Sequence, residues 1–413
     1  MLVTIHRGAR QIGGNCIELE SAGARVLLDI GAPLDLAEGE QATLPKTLRL
    51  GRDGGELLGV IVSHAHQDHY GLWSHVDESV PCYIGEASLR ILSAAKPFLR
   101  NAYVPANART YASRQPFQVG PFRITPFIVD HSAYDAHALL VEADGKRVLY
   151  TGDLRDHGRK PGALPRLLSN CPKPLDALVI EGTTVGRAEP GAKPMTEAGL
   201  ERVLVGHIRE TQGLVLAFFA GQNIDRFVTF FKAAKRTGRT MVVDVYAAEI
   251  LRAAGNPNLP TPSPNGLRVY LPNGQRRGLG QGENLSIVDR YYAARIYQEE
   301  LLARRGELVM LFRPGMKAEL ARMVLLENAR LVYSMWSGYL DKHLKTLPTW
   351  CHDNGVEFEA QHVSGHADVA TLRRVIDALK PTWVVPIHTS DPAAFAHEFP
   401  GALLLSDGVP LAL

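Results

Sequence analysis

Ser63-His64-Ala65-His66-Gln67-Asp68-His69 follows directly on the apolar run LLGVIV (57–62) and precedes Gly71. A strand that ends in this loop presents neutral imidazole nitrogens and a carboxylate, the ligand types that borderline-soft Zn²⁺ accepts, and the spacing lets one loop serve two adjacent ions. The competing reading is a solvated His-rich loop. With 15 histidines in 413 residues, a chance HxHxDH match placed at the end of an apolar strand is a poor explanation.

Upstream of the loop, short strands (LVTIH, NCIELE, RVLLDIG) are broken by Gly pairs. Downstream, helical patterns alternate with strands through a β-rich stretch, FRITPFIVDHSAYDAHALLVEADGKRVLYTGDLR (122–155). The class is α/β with mixed sheets. Two more residues of ligand type stand at strand ends here: His131 after ITPFIVD and Asp153 after RVLYTG. Taken alone, each is more often a turn or capping residue, and only the first cluster lifts them above that. Asp29, ending RVLLD, can orient a ligating imidazole from outside the ligand set. An ordinary strand-end aspartate is the equal alternative.

The Gly/Pro-rich stretch GRAEPGAKPMTEAG (186–199) reads as a linker into a new module. Beyond it strands and helices alternate regularly, including a helix expected over SIVDRYYAARIYQEELLARR (286–305), which predicts a doubly wound parallel sheet. In the final portion, histidines return at strand and turn positions: His366 in HVSGHAD and His388 in WVVPIHTSD. The two His-rich ends are expected to share one site, so the middle module is an insertion. His343, His352 and His362 read as surface or core histidines. Ser364 and Gly365, in the turn before a helix, could offer a hydroxyl and backbone N–H groups to a phosphate, or Ser364 could simply cap that helix.

Composition sets outer limits. The chain is 46% hydrophobic and 21% charged, long enough for about two or three domains, and its net charge of +2 announces no global nucleic-acid binder. Four scattered cysteines, with no CxxC pair, argue against a disulfide framework and for reduced thiols. No signal-like start and no membrane-spanning apolar run is evident, so a cytoplasmic protein without membrane contact is expected.

The ordered motifs resemble those of the metallo-β-lactamase superfamily and, more narrowly, its β-CASP nucleases of the ribonuclease J type. DIG at Asp29, HAHQDH at 64–69, HSAYD at His131 and TGD at Asp153 resemble the superfamily motifs. EGTT at Glu181, SGHAD at His366 and PIHTS at His388 resemble the β-CASP additions. The resemblance spans nearly the whole chain. It implies a four-layer αββα sandwich from residues 1–188 and 353–413, interrupted by a β-CASP domain at 189–352.

It also implies two zinc ions, one on His64, His66 and His131, the other on Asp68, His69 and His388, with Asp153 bridging; whether manganese can replace zinc is left open by the sequence. The implied reaction is hydrolysis of single-stranded RNA by a metal-activated hydroxide, as exonuclease, endonuclease or both, with Glu181 and His366 as a catalytic pair beside Asp68. A DNA nuclease of the same family, a small-molecule ester or lactone hydrolase, and a non-catalytic binding protein are the alternatives. Basic residues Lys232, Lys235, Arg236, Arg239, Arg276 and Arg277 suit a phosphate backbone, though cations at a helix end are usually a solvated terminus. Tyr333, Trp336 and Tyr339, with Ser334, Ser337 and Gly338, could stack on bases or approach phosphate, although core packing accounts for most such aromatics.

Two departures from ribonuclease J stand out. The chain ends soon after the last motif, so dimerisation does not carry over and a homodimer stays open. Thr389-Ser390 follows His388 where many relatives have Gly-Glu.

Overall fold

A computed structural model of the protein describes residues 1–36, 40–50, 55–99, 102–187, 194–280 and 284–413. It divides into two compact units, Met1–Leu92 with Tyr103–Lys193 and Gly365–Leu413, and Ser93–Ala102 with Pro194–Ser364.

The first unit holds two sheets. One contains β1 (Leu2–Arg7), β2 (Cys16–Ser21), β3 (Ala24–Leu28), β4 (Glu56–Ile61), β5 (Cys82–Gly85) and β6 (Arg109–Tyr111) in that order, with the last strand of the chain, β19 (Pro410–Ala412), beside β1. The other has β7 (Phe117–Val119), β8 (Phe122–Ile128), β9 (His137–Ala143), β10 (Lys146–Tyr150), β11 (Ala177–Glu181) and β18 (Trp383–Ile387). Because side chains alternate across a strand, each strand feeds two cores. Val26, Leu28, Leu139, Val141 and Val179 point between the sheets, where they meet Ile5, Leu19, Ile124 and Tyr150. Their neighbours point outward: Leu27 packs with Tyr70 and Trp73, and Leu140 and Leu178 pack with Leu167, Leu372 and Phe395 from helices. Burial on both faces explains why these strands read as continuous apolar runs. Each such side chain contributes roughly 1.5–3 kcal/mol. The result is the αββα sandwich.

Direction matters more than composition for function. β3 and β4 run parallel, as do β10, β11 and β18, and β8 shares their direction because both β8 and β10 run antiparallel to β9. Within each sheet, the residues that follow these strands therefore emerge at one edge.

The second unit is built on a six-stranded parallel sheet in the order β14 (Arg268–Tyr270), β13 (Thr240–Asp244), β15 (Leu308–Leu311), β12 (Val215–Phe218), β16 (Arg330–Tyr333), β17 (Glu357–Ala360). Its three longest helices start at caps, with Thr196, Asn223 and Asp244 accepting from Gly199, Arg226 and Ala247 N–H. At its centre Arg226, fully buried, donates to Glu197, to the Ser334 carbonyl and hydroxyl, and to the Val363 carbonyl.

Three expectations change. The proposed boundary at 188/189 lies outside the described residues, and the return to the first unit falls at Gly365 rather than 353. The reason is that β17 adds to the edge of the parallel sheet beside β16. The single helix expected over 286–305 is broken into Leu285–Asp289 and Gln298–Ala303, because Arg295 forms a bridge with Val269 and Ile296 N–H donates to the Val269 carbonyl. Arg276 and Arg277, which the Gly-rich sequence around them places in a loop, sit on the helix Asn273–Leu279. Among the described residues no helix is long and apolar enough to cross a membrane. All four cysteines are buried and free.

Candidate metal centre

The expected ligand residues all belong to the first unit, and strand ends bring them together. Three nitrogens face one another first: His66 Nδ1 is 3.2 Å from both His64 Nε2 and His131 Nε2. Ligand atoms on a tetrahedral zinc with Zn–N bonds of about 2.0–2.1 Å lie about 3.3–3.4 Å apart, so the trio has the spacing of a metal face. A second group gathers Asp68, His69, Asp153 and His388. Asp153 Oδ2 stands between the two, 3.2 Å from His69 Nε2 and 3.8 Å from each of His64 and His131 Nε2. Asp68 Oδ2 lies 3.8 Å from His69 Nε2 and 3.7 Å from His388 Nε2.

Buried polar atoms test whether a cation suits this place. Asp153 Oδ1 and His388 Nε2 are enclosed yet have no hydrogen-bond partner among the described residues. Such orphans are costly unless something satisfies them, and a carboxylate oxygen beside an imidazole nitrogen is a metal-ligand pair. The donor set fits.

The protonation pattern agrees for most of the set. Burial, reinforced by neighbouring imidazoles, holds His64 well below the usual histidine range, and burial against opposing carboxylates also lowers His131 and His388 and brings His66 to about 4. Neutral imidazole is the ligating form. His69 runs the other way: burial opposes its charge, but Asp153, Asp29 and Asp68 push its pKa well up. A cation held among those carboxylates would take the place of that proton.

Backbone geometry fixes the loops. Asp29 and His388 adopt φ of 61° and 54°, a region that costs non-glycine residues about 1–3 kcal/mol and persists where surroundings impose it. The Asp29 carboxylate accepts from Ser63 N–H at 2.6 Å, and His388 N–H donates to the Gly8 carbonyl at 2.8 Å. The segment after Asp29 is laced to the His-rich loop by Ile30 N–H to the His69 carbonyl and Ala32 N–H to the Gln67 carbonyl. Gly31 lies under that lacing, where a Cβ would come within 1.7 Å of the Asp68 carbonyl oxygen. Gly31→Ala must displace the backbone carrying Asp68. The expected loss of unfolding free energy, read by denaturant titration, exceeds the roughly 1–3 kcal/mol of ordinary overpacking, and metal content is expected to fall with it.

His366 and Glu181 form the expected pair. His366 Nδ1 is 3.1 Å from Glu181 Oε2 and 3.7 Å from Asp153 Oδ2. Glu181 is fully buried and held by Leu154 N–H at 2.9 Å and Ala367 N–H at 3.4 Å. Burial opposes a charge on His366, but Glu181 and Asp153 outweigh it and raise its pKa to about 9. With a cation on Asp153, Glu181 remains as the supporting carboxylate.

Several residues expected to contact substrate also make contacts within the protein. The Gly365 carbonyl accepts from His131 Nδ1 at 2.5 Å, so this residue acts through its oxygen, while Ser364 falls in the second unit. The helix after them is capped by Asp368, whose carboxylate accepts from Thr371 N–H, not by Ser364. Arg239 donates to the carbonyls of Thr211, Gly213 and Leu308, and Arg236 pairs with Glu201 at 2.8 Å. Ser334 belongs to the Arg226 cluster and Tyr333 is buried, whereas Trp336 is exposed.

Sequence reasoning missed Asn15, Tyr150, Thr183 and the Asp130–Arg155 pair. Asn15 Oδ1 lies 3.1 Å from His388 Nδ1, and Thr183 Oγ1 lies 3.2 Å from His366 Nδ1. Asp130 and Arg155, both buried, clasp the loops of His131 and Asp153: Arg155 N–H donates to the Asp130 carbonyl at 2.7 Å, Arg155 Nε faces Asp130 Oδ1 at 3.4 Å and Gly158 N–H reaches Oδ2 at 2.8 Å. The Gly13-Gly14 pair ahead of Asn15 was the one available signal, a turn that aims a side chain.

Comparison with known proteins accords with this geometry. Residues 24–219 match a beta-lactamase superfamily domain and residues 356–399 a Zn-dependent metallo-hydrolase RNA specificity domain. Ribonuclease J of Helicobacter pylori is 23% identical across 92% of this chain and 55% of its own length, so the chain spans about half the length of that relative. Ribonuclease J of Mycolicibacterium smegmatis is 25% identical across 99% of this chain and 72% of its own. A crystal structure of a protein of unknown function from Enterococcus faecalis V583 superposes with a TM-score of 0.81 at 22% identity, covering 100% of this chain and 99% of that one. With the αββα sandwich, the parallel-sheet unit and the paired ligand clusters in place, the chain belongs to the metallo-β-lactamase superfamily, in its ribonuclease J-like β-CASP family.

Proposed function

We propose that this protein is a zinc-dependent ribonuclease that hydrolyses phosphodiester bonds of single-stranded RNA. One observation carries the reading: a three-imidazole cluster and a mixed carboxylate–imidazole cluster meet at Asp153 Oδ2, with the His366–Glu181 pair beside them. The likeness to proteins named ribonuclease J and to an RNA specificity domain favours RNA as the substrate.

On this reading His64, His66 and His131 hold one ion, Asp68, His69 and His388 the other, and Asp153 serves both. Bound there, the ions supply Lewis acidity, lowering the pKa of water and offsetting charge on the attacked phosphate. The protein's own groups do the rest. Glu181 Oε2 accepts from His366 Nδ1 and favours the cation, leaving Nε2 to carry the proton that the departing oxygen needs. Asp29 accepts from His69 Nδ1 at 2.7 Å and turns that ring's Nε2 toward Asp153.

Incubating 5′-labelled single-stranded RNA and DNA with metal-loaded protein tests the proposal. Cleavage of RNA supports it, cleavage of DNA alone points to a DNA nuclease, and intact substrates at full metal content remove it. His366→Ala is expected to keep its metal, by elemental analysis, while turnover falls by about 10²–10⁴-fold. Loss of metal in that variant would move His366 into the ligand set.

A further inference from the structure

The hydrogen bonds behind the centre form a chain with one direction. Asn15 Nδ2 can only donate, and it lies 3.0 Å from Tyr150 Oη. Tyr150 Oη therefore spends its own proton elsewhere, and Asp29 Oδ2 lies 2.6 Å away. Burial, with the Asp29 carboxylate adjacent, keeps that phenol protonated by pushing its pKa well up. With Asn15 Nδ2 turned to Tyr150, the amide oxygen faces His388 Nδ1 at 3.1 Å and, being an acceptor only, requires that Nδ1 carry the hydrogen. Nε2 of His388 is then left bare, and it is the buried nitrogen without a partner. From the other side the same Asp29 Oδ2 accepts from His69 Nδ1 at 2.7 Å and from Ser63 Oγ at 2.8 Å. Ser63 Oγ in turn lies 3.0 Å from His64 Nδ1 and, its proton committed to Asp29, accepts there. Asn15, Asp29, Ser63 and Tyr150 are all buried at 0% exposure, so water does not compete for these bonds.

We infer that Asn15 and Tyr150 are positioning residues: together they extend the reach of Asp29 to His388 and lock that ring with hydrogen on Nδ1 and Nε2 open toward Asp68. One carboxylate thus sets the tautomer of three imidazoles from two distant parts of the chain, His69 directly, His64 through Ser63 and His388 through Tyr150 and Asn15. The orientation matters because a ring locked in the other tautomer would present an N–H where a lone pair is needed. The inference rests on the proposed ligand role of His388 for its consequence, but not for its test.

Long-range ¹H–¹⁵N correlation spectra of the metal-free, ¹⁵N-histidine protein read the tautomer directly. Wild-type His388 is expected to show the Nδ1–H form. Asn15→Leu removes the one acceptor within hydrogen-bond reach of Nδ1 among the described residues, leaving Asp153 Oδ1 at 3.5 Å, and is expected to give the mixed or Nε2–H form, with zinc affinity lower by about 10–100-fold. Asn15→Asp keeps an oxygen for Nδ1 and is expected to restore the Nδ1–H signature, although it no longer donates to Tyr150. Tyr150→Phe, which preserves the ring's packing, is expected to lower zinc affinity by less than Asn15→Leu. An unchanged Nδ1–H signal in a folded Asn15→Leu protein, or a wild-type signal of the Nε2–H form, overturns the inference. If Asn15→Leu does not fold, the wild-type tautomer and the Asn15→Asp spectrum decide it alone. A wild-type protein that shows the Nδ1–H form but takes up no zinc would sink the metal reading and leave the chain of hydrogen bonds standing.

Discussion

Asp153→Asn is expected to abolish RNA cleavage and to strip the protein of metal, a larger effect than that of any other single ligand. Asp153 Oδ2 is within 3.8 Å of imidazole nitrogens from both clusters, and its other oxygen is buried with no hydrogen-bond partner among the described residues. Burial raises the pKa of a carboxyl group, but His388, His69 and His366 together draw it well below the usual range. The side chain is therefore an anion built to be neutralised. Asparagine keeps its shape, removes the charge and points an N–H₂ group at nitrogens that must offer lone pairs. Loss should exceed the about 10–100-fold typical of an outer hydrogen-bond partner, and metal analysis beside a cleavage assay reads both parts. Retention of two ions by Asp153→Asn would contradict the bridging role.

Arg155→Met is expected to have the largest effect on stability. Arg155 and Asp130 have side-chain exposures of 0% and 1%, so removing the guanidinium takes a charge partner from a buried carboxylate that Lys160 approaches only to 4.0 Å. Breaking a buried pair from one side costs about 3–5 kcal/mol. Because the pair ties the His131 loop to the Asp153 loop, metal affinity should fall in the fraction that stays folded. Denaturant unfolding followed by fluorescence measures the first effect. A change below about 1 kcal/mol, which is the scale of an exposed pair, would show that the clasp is dispensable.

How much of this was open to a reader of the sequence depends on what each residue's role requires. The HAHQDH loop declared itself because ligand type and spacing are local properties, and the strand and helix patterns declared an α/β chain with mixed sheets. The sandwich itself was implied only by the family resemblance, since continuous apolar runs show burial on both faces but not how the sheets stack. His131, Asp153 and His388 were each weak alone. They gain meaning from strand direction, which places them at one edge of their sheet and which no local pattern encodes. Asn15 and Tyr150 were invisible for a stricter reason: an asparagine after two glycines and a tyrosine ending a strand are ordinary, and their significance lies in contacts 135 and 373 residues apart in sequence. The domain return at Gly365 was missed because β17 is an edge strand with half-exposed polar residues, placed by pairing with β16 and not by its own composition. Arg239 misled in the opposite sense, since a cation near a helix end looks like a phosphate contact until its backbone acceptors are seen.

Anomalous diffraction from crystals of the zinc-loaded protein, recorded on both sides of the zinc edge, tests the whole account most directly. Two peaks are predicted, one among His64, His66 and His131 and one among Asp68, His69 and His388, with Asp153 between them. A fully loaded crystal with no peak at these residues, or with zinc bound elsewhere, would contradict it.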